Sequence, residues 1–410
     1  MMRTEVTIES IATGGDGVGR ADGRVVFVPR SAPGDVGSVD LPGAGRFARA
    51  EFRELRVASP QRVQPSCAHF VMDRCGGCQL QHLSYEAQLQ AKSRIVRDAM
   101  QRIGKRSVDL PVVQPSATPW RYRRKLTLAL LRKREGWIAG LHPFDDPRAV
   151  FALDDCPITH QDVLEVWREV LAASRHFPSV QELRGAVRLD DDGMASLTVE
   201  GGRDWASSTE FFNASPHLGA LWWIPDGQGR RRLHAREATS APGASFAQVN
   251  PGVAAPLRRR VIALALAHRP SSAVDAYAGL GLTATELAAH GVRVTAIELD
   301  RDAVAWAGQH LPSGSRALGG RVEDHLPHAL PADVVILNPP RAGVDKRVTD
   351  VLDAVDPAPA AIVYVSCDPA TLARDVGRMA RFRIASLESF DMFPQTAHVE
   401  TVCELVPGDR

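Results

Sequence analysis

The sequence predicts a three-part α/β protein: a small N-terminal β-barrel, a mainly β central part and a C-terminal doubly wound α/β domain. Three observations carry this. The length of 410 residues exceeds one compact core. Short alternating apolar segments separated by Gly-rich turns fill the front, and from about residue 240 strands alternate with helices. Hydrophobic residues at 44% and charged residues at 24% exclude disorder. No run of 18 apolar residues occurs and no apolar stretch follows a basic start, so the expectation is a cytoplasmic protein without membrane span or signal peptide. A monomer is expected.

The charge is uneven. Residues 1–135 hold 23 Lys and Arg against 13 Asp and Glu, and the remainder holds 26 against 35, giving the net +1. A basic front suggests a polyanionic partner, although a charged surface can also be merely solvated. Between Glu5 and Val57 the segments VTIESI, RVVFVP, VGSVDL and FARAEF are divided by turns at Thr13, Ala32 and Leu41, as a small barrel requires. The signature GGDGVGR followed by VVFVPRSAPGDVG resembles the TRAM module, an oligonucleotide-binding-type barrel of RNA-modifying enzymes.

A cysteine-rich stretch follows, with Cys67, Cys75 and Cys78 near one another and Cys156 the available fourth. The CGGC turn aims two sulfurs inward, and four thiolates fit tetrahedral zinc or a [4Fe–4S] cube; three clustered cysteines plus a distant one favour the cluster. Leu83 to Arg102 shows helical spacing after a capping serine, and Gln161 to Ala173 predicts a second helix. In Trp120-Arg-Tyr-Arg-Arg-Lys125, interleaved aromatic and basic groups suit RNA, and a charged strand edge gives the same letters. The segments LTLALL, GAVRLD and MASLTVE predict central strands around an Asp190-Asp-Asp-Gly turn.

In the back part the strands are AVDAY, VRVTAIEL, DVVILN, AIVYVS, RIASLESF and HVETVCELV, with ligands expected at the strands' carboxyl ends. After the first stand Tyr277, Gly279 and Gly281, whose backbone can pass close to a ligand; Glu298, 17 residues beyond Gly281, can accept ribose hydroxyls. Thr283 and Ala284 occupy the place of a third glycine, so adenosine without phosphates, as in S-adenosylmethionine, suits the loop better than a dinucleotide. Asn338-Pro339-Pro340 is a turn of amino-methyltransferases, but Arg341 follows where an aromatic residue is usual. Cys367 ends the next strand before a helix whose N-terminal field is expected to lower the thiol's pKa; Cys403 reads as a core residue.

GGDGVGR, CGGCQLQH, SFAQVN, the glycine loop, NPPRAG, YVSCDPATLARD and FPQTAHVETV together resemble the RNA 5-methyluridine methyltransferases, nearest the subgroup with a TRAM barrel and an iron–sulfur cluster. The resemblance covers nearly the whole chain. It implies a TRAM barrel over residues 1–60 that binds RNA and a central domain over 61–82 and 105–238. It implies further a helix over 83–104 packed on the catalytic domain, and a class I, Rossmann-like methyltransferase domain over 239–410. It implies that Cys67, Cys75, Cys78 and Cys156 hold the cluster, and that Gln248, Tyr277, Glu298 and Asn338 line the cofactor and uracil pocket with the glycine loop. Cys367 becomes the nucleophile and Glu400 the base. Large-subunit (23S) ribosomal RNA is the implied substrate, with transfer RNA the runner-up. Asn338 stands where the family usually has Asp and Leu282 where it often has Asn, so cytosine, or a catalytically degenerate RNA-binding protein, remains an alternative. His398, two residues before Glu400, either assists it from the same strand face or is structural.

Overall fold

The computed structural model describes residues 2–43, 45–190, 192–236 and 248–408. Asp191 of the acidic turn, Ser245, Phe246 and Ala247 of SFAQVN, and the expected boundary at 238/239 lie outside the described residues.

The first six strands are β1 (Met2–Ile11), β2 (Gly17–Ala21), β3 (Arg24–Val28), β4 (Val36–Leu41), β5 (Phe47–Arg49) and β6 (Phe52–Val57), in the order β5-β3-β2-β1-β4-β6. Their alternation buries Val6, Ile8, Val26, Val28, Val39 and Leu41 in one core. Asp22 and Gly23, both at positive φ, join β2 to β3 in the tight turn that matches strand twist. Asp35 accepts from Arg62 Nη2 at 2.6 Å and ties this sheet to the chain beyond it.

Helix α1 (Ala68–Val71) is a single turn within the cysteine loop. Helix α2 (Tyr85–Arg102) starts where Ser84 Oγ accepts from the Ala87 N–H, and its apolar end packs Ala99 and Met100 among Leu372, Ala373 and Val376 of the C-terminal core. The short β7 (Val113–Gln114) follows. The central sheet comprises β8 (Lys125–Lys133), β9 (Gly136–Leu141), β10 (Phe151–Ala152), β11 (Glu182–Leu189), β12 (Ala195–Glu200), β13 (Leu218–Ile224) and β14 (Arg231–Ala235), ordered β10-β9-β8-β11-β12-β13-β14. Helices α3 (Gln161–Ala172) and α4 (Ser208–Asn213) belong to this part; Trp167 of α3 packs in the core that holds Leu126, Leu128 and Leu130 of β8.

Helix α5 (Pro251–Ala267) opens the C-terminal part. There follow β15 (Ser272–Ala276), α6 (Leu282–Ala289), β16 (Arg293–Glu298), α7 (Arg301–His310), β17 (Arg316–Gly319) and α8 (Val322–Ala329). Then come β18 (Val334–Leu337), α9 (Lys346–Ala354), β19 (Ala361–Ser366), α10 (Pro369–Arg378), β20 (Phe382–Phe390) and β21 (Glu400–Pro407). The sheet order is β17-β16-β15-β18-β19-β21-β20-β7. β15 to β19 run parallel, and β21 runs antiparallel between β19 and β20. All residues of β18 and β19 are buried, as expected for strands covered on both faces. The strand order reverses between β15 and β18, which opens a crevice at their carboxyl ends. Strand β21 starts at Glu400, so His398 precedes the strand rather than sharing its face. No helix among the described residues is long and apolar enough to cross a membrane.

Candidate active site

A cavity of about 920 Å³ occupies this crevice. Gln248 enters from the segment before α5, Tyr277 and Gly279 from the loop after β15, Glu298 from the last position of β16, and Asn338 and Cys367 directly after β18 and β19. Glu400 arrives from the other direction. Because β21 is antiparallel, its first residue lies at the edge where the parallel strands end, and Ser366 pairs with Thr401. Residues 367 and 400 therefore share one cavity wall.

Gly281 differs from expectation. It does not line this cavity but precedes α6 at φ 73°, and a Cβ there would come within 2.9 Å of Ala307 Cβ, so its glycine serves helix packing. At Gly279 an added Cβ would meet nothing within 4 Å, and its N–H donates to Glu298 Oε2 at 2.8 Å. Glu298 Oε1 accepts from the N–H groups of Leu299 and Asp300 at 2.7 and 2.8 Å. Of roughly four lone-pair positions on a carboxylate, these bonds leave one directed acceptor free, enough for one hydroxyl. Tyr277, a non-glycine residue at φ 62°, is held in the left-handed region, a strain typical of ligand-facing positions.

Asp368 caps α10, accepting from the Ala370 and Thr371 N–H groups at 2.9 and 3.0 Å. That occupies the donors expected to favour a Cys367 thiolate and adds a negative charge beside them. Burial chiefly, then the Glu400 charge, pushes the Cys367 thiol up rather than down. The Arg341 guanidinium opposes both by charge and by a hydrogen bond. Glu400 is 2% exposed, and burial raises its carboxyl to about 7 against the pull of Arg341. Burial likewise lowers His398 to about 4, aided by Arg341, so its ring is neutral near pH 7.

Residues 321–406 match the family described as tRNA (uracil-5-)-methyltransferase, and residues 3–40 match the TRAM domain. An RNA methyltransferase of Protochlamydia amoebophila is 31% identical, the alignment covering 98% of this chain and 97% of the relative. The chain belongs to the RNA uracil-5-methyltransferases. An RNA methyltransferase of Halalkalibacterium halodurans is 30% identical over 98% of this chain and 96% of its own length. The crystal structure of Pyrococcus abyssi tRNA (uracil-54, C5)-methyltransferase with S-adenosyl-L-homocysteine shares the fold, with TM-score 0.70 at 23% identity over 98% of this chain and 99% of that one.

In this methyltransferase the basic WRYRRK segment is not the open stacking platform its letters suggest. Arg121 is paired with Asp155 at 2.7 and 2.8 Å, Tyr122 is buried and donates to the Pro394 carbonyl, and Arg123 lines the cavity. Two groups escaped the sequence reading. Arg341 followed the NPP turn as an anomaly, yet it is the cation facing Cys367 and Glu400. Asp375, fully buried, accepts from Tyr364 Oη at 2.9 Å, the Val344 N–H at 3.0 Å and Arg374 Nε at 2.9 Å. It thereby joins the helix behind Cys367 to the loop that carries Arg341. Asp375 stands eight residues after Cys367 in YVSCDPATLARD, the one sequence signal that pointed to it.

The four cysteines of the central part share one region. Cys67 and Cys78 pack with Phe70, Tyr122 and Ile158, Cys156 lies at the edge of that cluster, and the Cys75 thiol, raised to about 11 chiefly by burial, feels Cys156 and Cys67. Among the described residues, no group of three or more His, Cys, Asp or Glu side chains is gathered as ligands of a metal ion, so the expected centre at these four positions is not shown.

Proposed function

We propose that this chain methylates carbon 5 of a uridine in RNA, with Cys367 as covalent nucleophile and Glu400 as base. The observation that carries the reading is the single cavity holding both groups beside Arg341. Gln248, Tyr277, Gly279, Glu298 and Asn338 would hold S-adenosylmethionine and the uracil: the anchored Glu298 offers a ribose acceptor, and the bare face of Gly279 leaves room for the nucleoside. When bound, that donor supplies an electrophilic methyl group.

Carbon 5 of uracil is a weak nucleophile. Cys367 gives its proton to water of the crevice, a change the Arg341 charge favours, and its sulfur bonds to carbon 6. The displaced π pair moves onto the carbonyl at carbon 4, and the resulting enolate makes carbon 5 nucleophilic enough to take the methyl group. Glu400 then accepts the carbon 5 proton; the C–H pair re-forms the ring double bond and the C–S pair leaves with Cys367. The target base has to leave its stack to reach the crevice, which is less costly in single-stranded loops. The Asn338 carboxamide can accept from the uracil imide N–H, whereas its amide would suit cytosine.

The proposed substrate is large-subunit ribosomal RNA, supported by the TRAM match together with the four-cysteine pocket. Purified ribosomal and transfer RNA incubated with enzyme and methyl donor, then digested to nucleosides, should yield 5-methyluridine from the ribosomal RNA. Only 5-methylcytidine would end the uridine reading, and methylation of transfer RNA alone would move the target.

Cys67, Cys75, Cys78 and Cys156 would hold a [4Fe–4S] cluster rather than zinc: four thiols fit either group, and the three clustered cysteines with a distant fourth, beside Phe70, Tyr122 and Ile158, favour the cluster. Nothing in the methyl-transfer steps needs an electron, so the cluster would brace the fold. Protein purified without air should be brown and lose its colour in Cys78→Ser. A colourless preparation with one zinc per chain would overturn the assignment.

A further inference from the structure

The carboxylate assigned as base stands at the end of a nine-residue connection, residues 391–399, that joins β20 to β21. Much of what fixes this connection comes from the N-terminal third of the chain. Lys92, fully buried on α2, pairs with the equally buried Asp391 and donates to the Phe393 carbonyl at 3.0 Å. Gln88, one turn earlier, makes a reciprocal pair with Gln395: its amide donates to Gln395 Oε1 at 2.9 Å and its carbonyl accepts the Gln395 N–H at 2.9 Å. The Leu80 N–H donates to the Gln395 carbonyl at 2.9 Å, and Gln79 Oε1 accepts the Ala397 N–H at 3.3 Å. Gln395 has φ 70°, a conformation a side-chain-bearing residue keeps only when its surroundings enforce it. Phe393 within this stretch and Glu400 directly after it both line the catalytic cavity.

Cys367 is held differently. Its strand, its capped helix and the Asp375 hub lie wholly within the C-terminal part. The last turns of α2 pack against that helix, but the hydrogen bonds of Gln88 and Lys92 reach the connection before Glu400 and not the Cys367 loop.

We propose that Gln88 and Lys92 are positioning residues for Glu400: by clamping residues 391–399 they set the carboxylate against the carbon 5 proton, and so govern release of the RNA adduct rather than its formation. The inference rests on the roles of Cys367 and Glu400 given above. Loosening the clamp should leave sulfur addition and methyl transfer intact while the C5–H bond, whose electron pair must expel the thiolate, breaks late. The enzyme would then accumulate as methylated covalent complex on ordinary uridine RNA, a signature that general destabilisation does not produce.

The test uses the full-length enzyme, its RNA substrate and methyl donor, with denaturing gels to count covalent complex and nucleoside analysis to count product. Gln88→Leu keeps the volume and removes both bonds to Gln395; turnover should fall about 10- to 100-fold, the scale of a misplaced catalytic group, while covalent complex rises from trace to most of the enzyme. Gln88→Glu, which keeps the acceptor for the Gln395 N–H, should restore part of the turnover. Gln395→Gly, which suits the backbone conformation but lacks the side-chain partner, should repeat the adduct rise and serves if Gln88→Leu does not fold. Turnover and adduct falling together, or neither changing, overturns the clamp. Glu400→Gln is the reference: if it accumulates no adduct the underlying reading fails, and if it does while the Gln88 and Gln395 variants do not, the clamp alone fails.

Discussion

Cys367→Ala should lower methyl transfer at least about 10⁴-fold, the scale seen when a covalent nucleophile is removed, while RNA affinity measured by filter binding is unchanged. The half-buried sulfur is small, so alanine leaves only a slight gap and the fold should persist. The loss follows from the substrate: without a bond at carbon 6 no enolate forms, and neither Arg341 nor Glu400 can make carbon 5 nucleophilic. RNA containing 5-fluorouridine sharpens the test, because fluorine replaces the proton that Glu400 must remove. The wild type should be trapped as a covalent protein–RNA species joined at residue 367, and Cys367→Ala should give none. Methylation surviving in the alanine variant would point instead to amine methylation at the Asn338-Pro-Pro turn. A wild type that binds RNA and transfers nothing would make the chain a binding protein.

How far the sequence disclosed this site depends on the range of each interaction. Tyr277, Gly279, Glu298, Asn338 and Cys367 each follow or end a buried apolar strand, so local pattern placed them at the crevice. The meeting of Cys367 with Glu400 left no local trace. It depends on β21 returning antiparallel beside β19, and only the family resemblance suggested it. Helices α5 and α8 each contain a proline, Pro256 and Pro327, and β17 has only four residues, so the local pattern marks these elements weakly. The basic front half also reads differently in three dimensions. Arg49, Arg62, Arg74 and Arg121 each pair with a carboxylate, so part of the excess charge is used inside the chain and not presented to RNA. Lys92 looks like a solvated helix residue in sequence, and only tertiary packing reveals it as a buried cation facing Asp391. The Cys367 thiol moves opposite to the expected direction chiefly because folding buries it and then because it brings the Glu400 charge beside it, neither of which shows in the local letters; Asp368 also occupies the helix terminus that was expected to act on the thiol.

Glu400→Gln should lower turnover about 10²- to 10⁴-fold, the usual range for a general base, and should leave the methylated adduct in place. A glutamine amide fits the same volume but cannot take the carbon 5 proton, so sulfur addition and methyl transfer proceed and elimination stalls. The wild-type pH dependence is tied to the same group. Its carboxyl is raised to about 7 by burial, and the base must be ionised to release the adduct, so kcat should fall as pH drops through about 7 rather than through the ordinary range of glutamate near 4–5. The raised Cys367 thiol also favours higher pH, which makes the alkaline rise steeper. Arg341→Gln removes the charge that pulls both groups down and should shift the profile to higher pH. Stability moves the opposite way. Between the unfolded carboxyl value and about 7 the folded chain binds a proton that the unfolded chain does not, so stability is lost as pH rises through that window, by at most about 3 kcal/mol. Glutamine lacks the penalty. The Tm of Glu400→Gln relative to wild type should therefore increase from pH 5 to pH 8, so that a variant damaged in turnover gains stability at the pH where the wild type works best. A Tm difference independent of pH would show that the carboxyl is not raised in the folded enzyme, and the acid limb of the rate profile would then belong to another group.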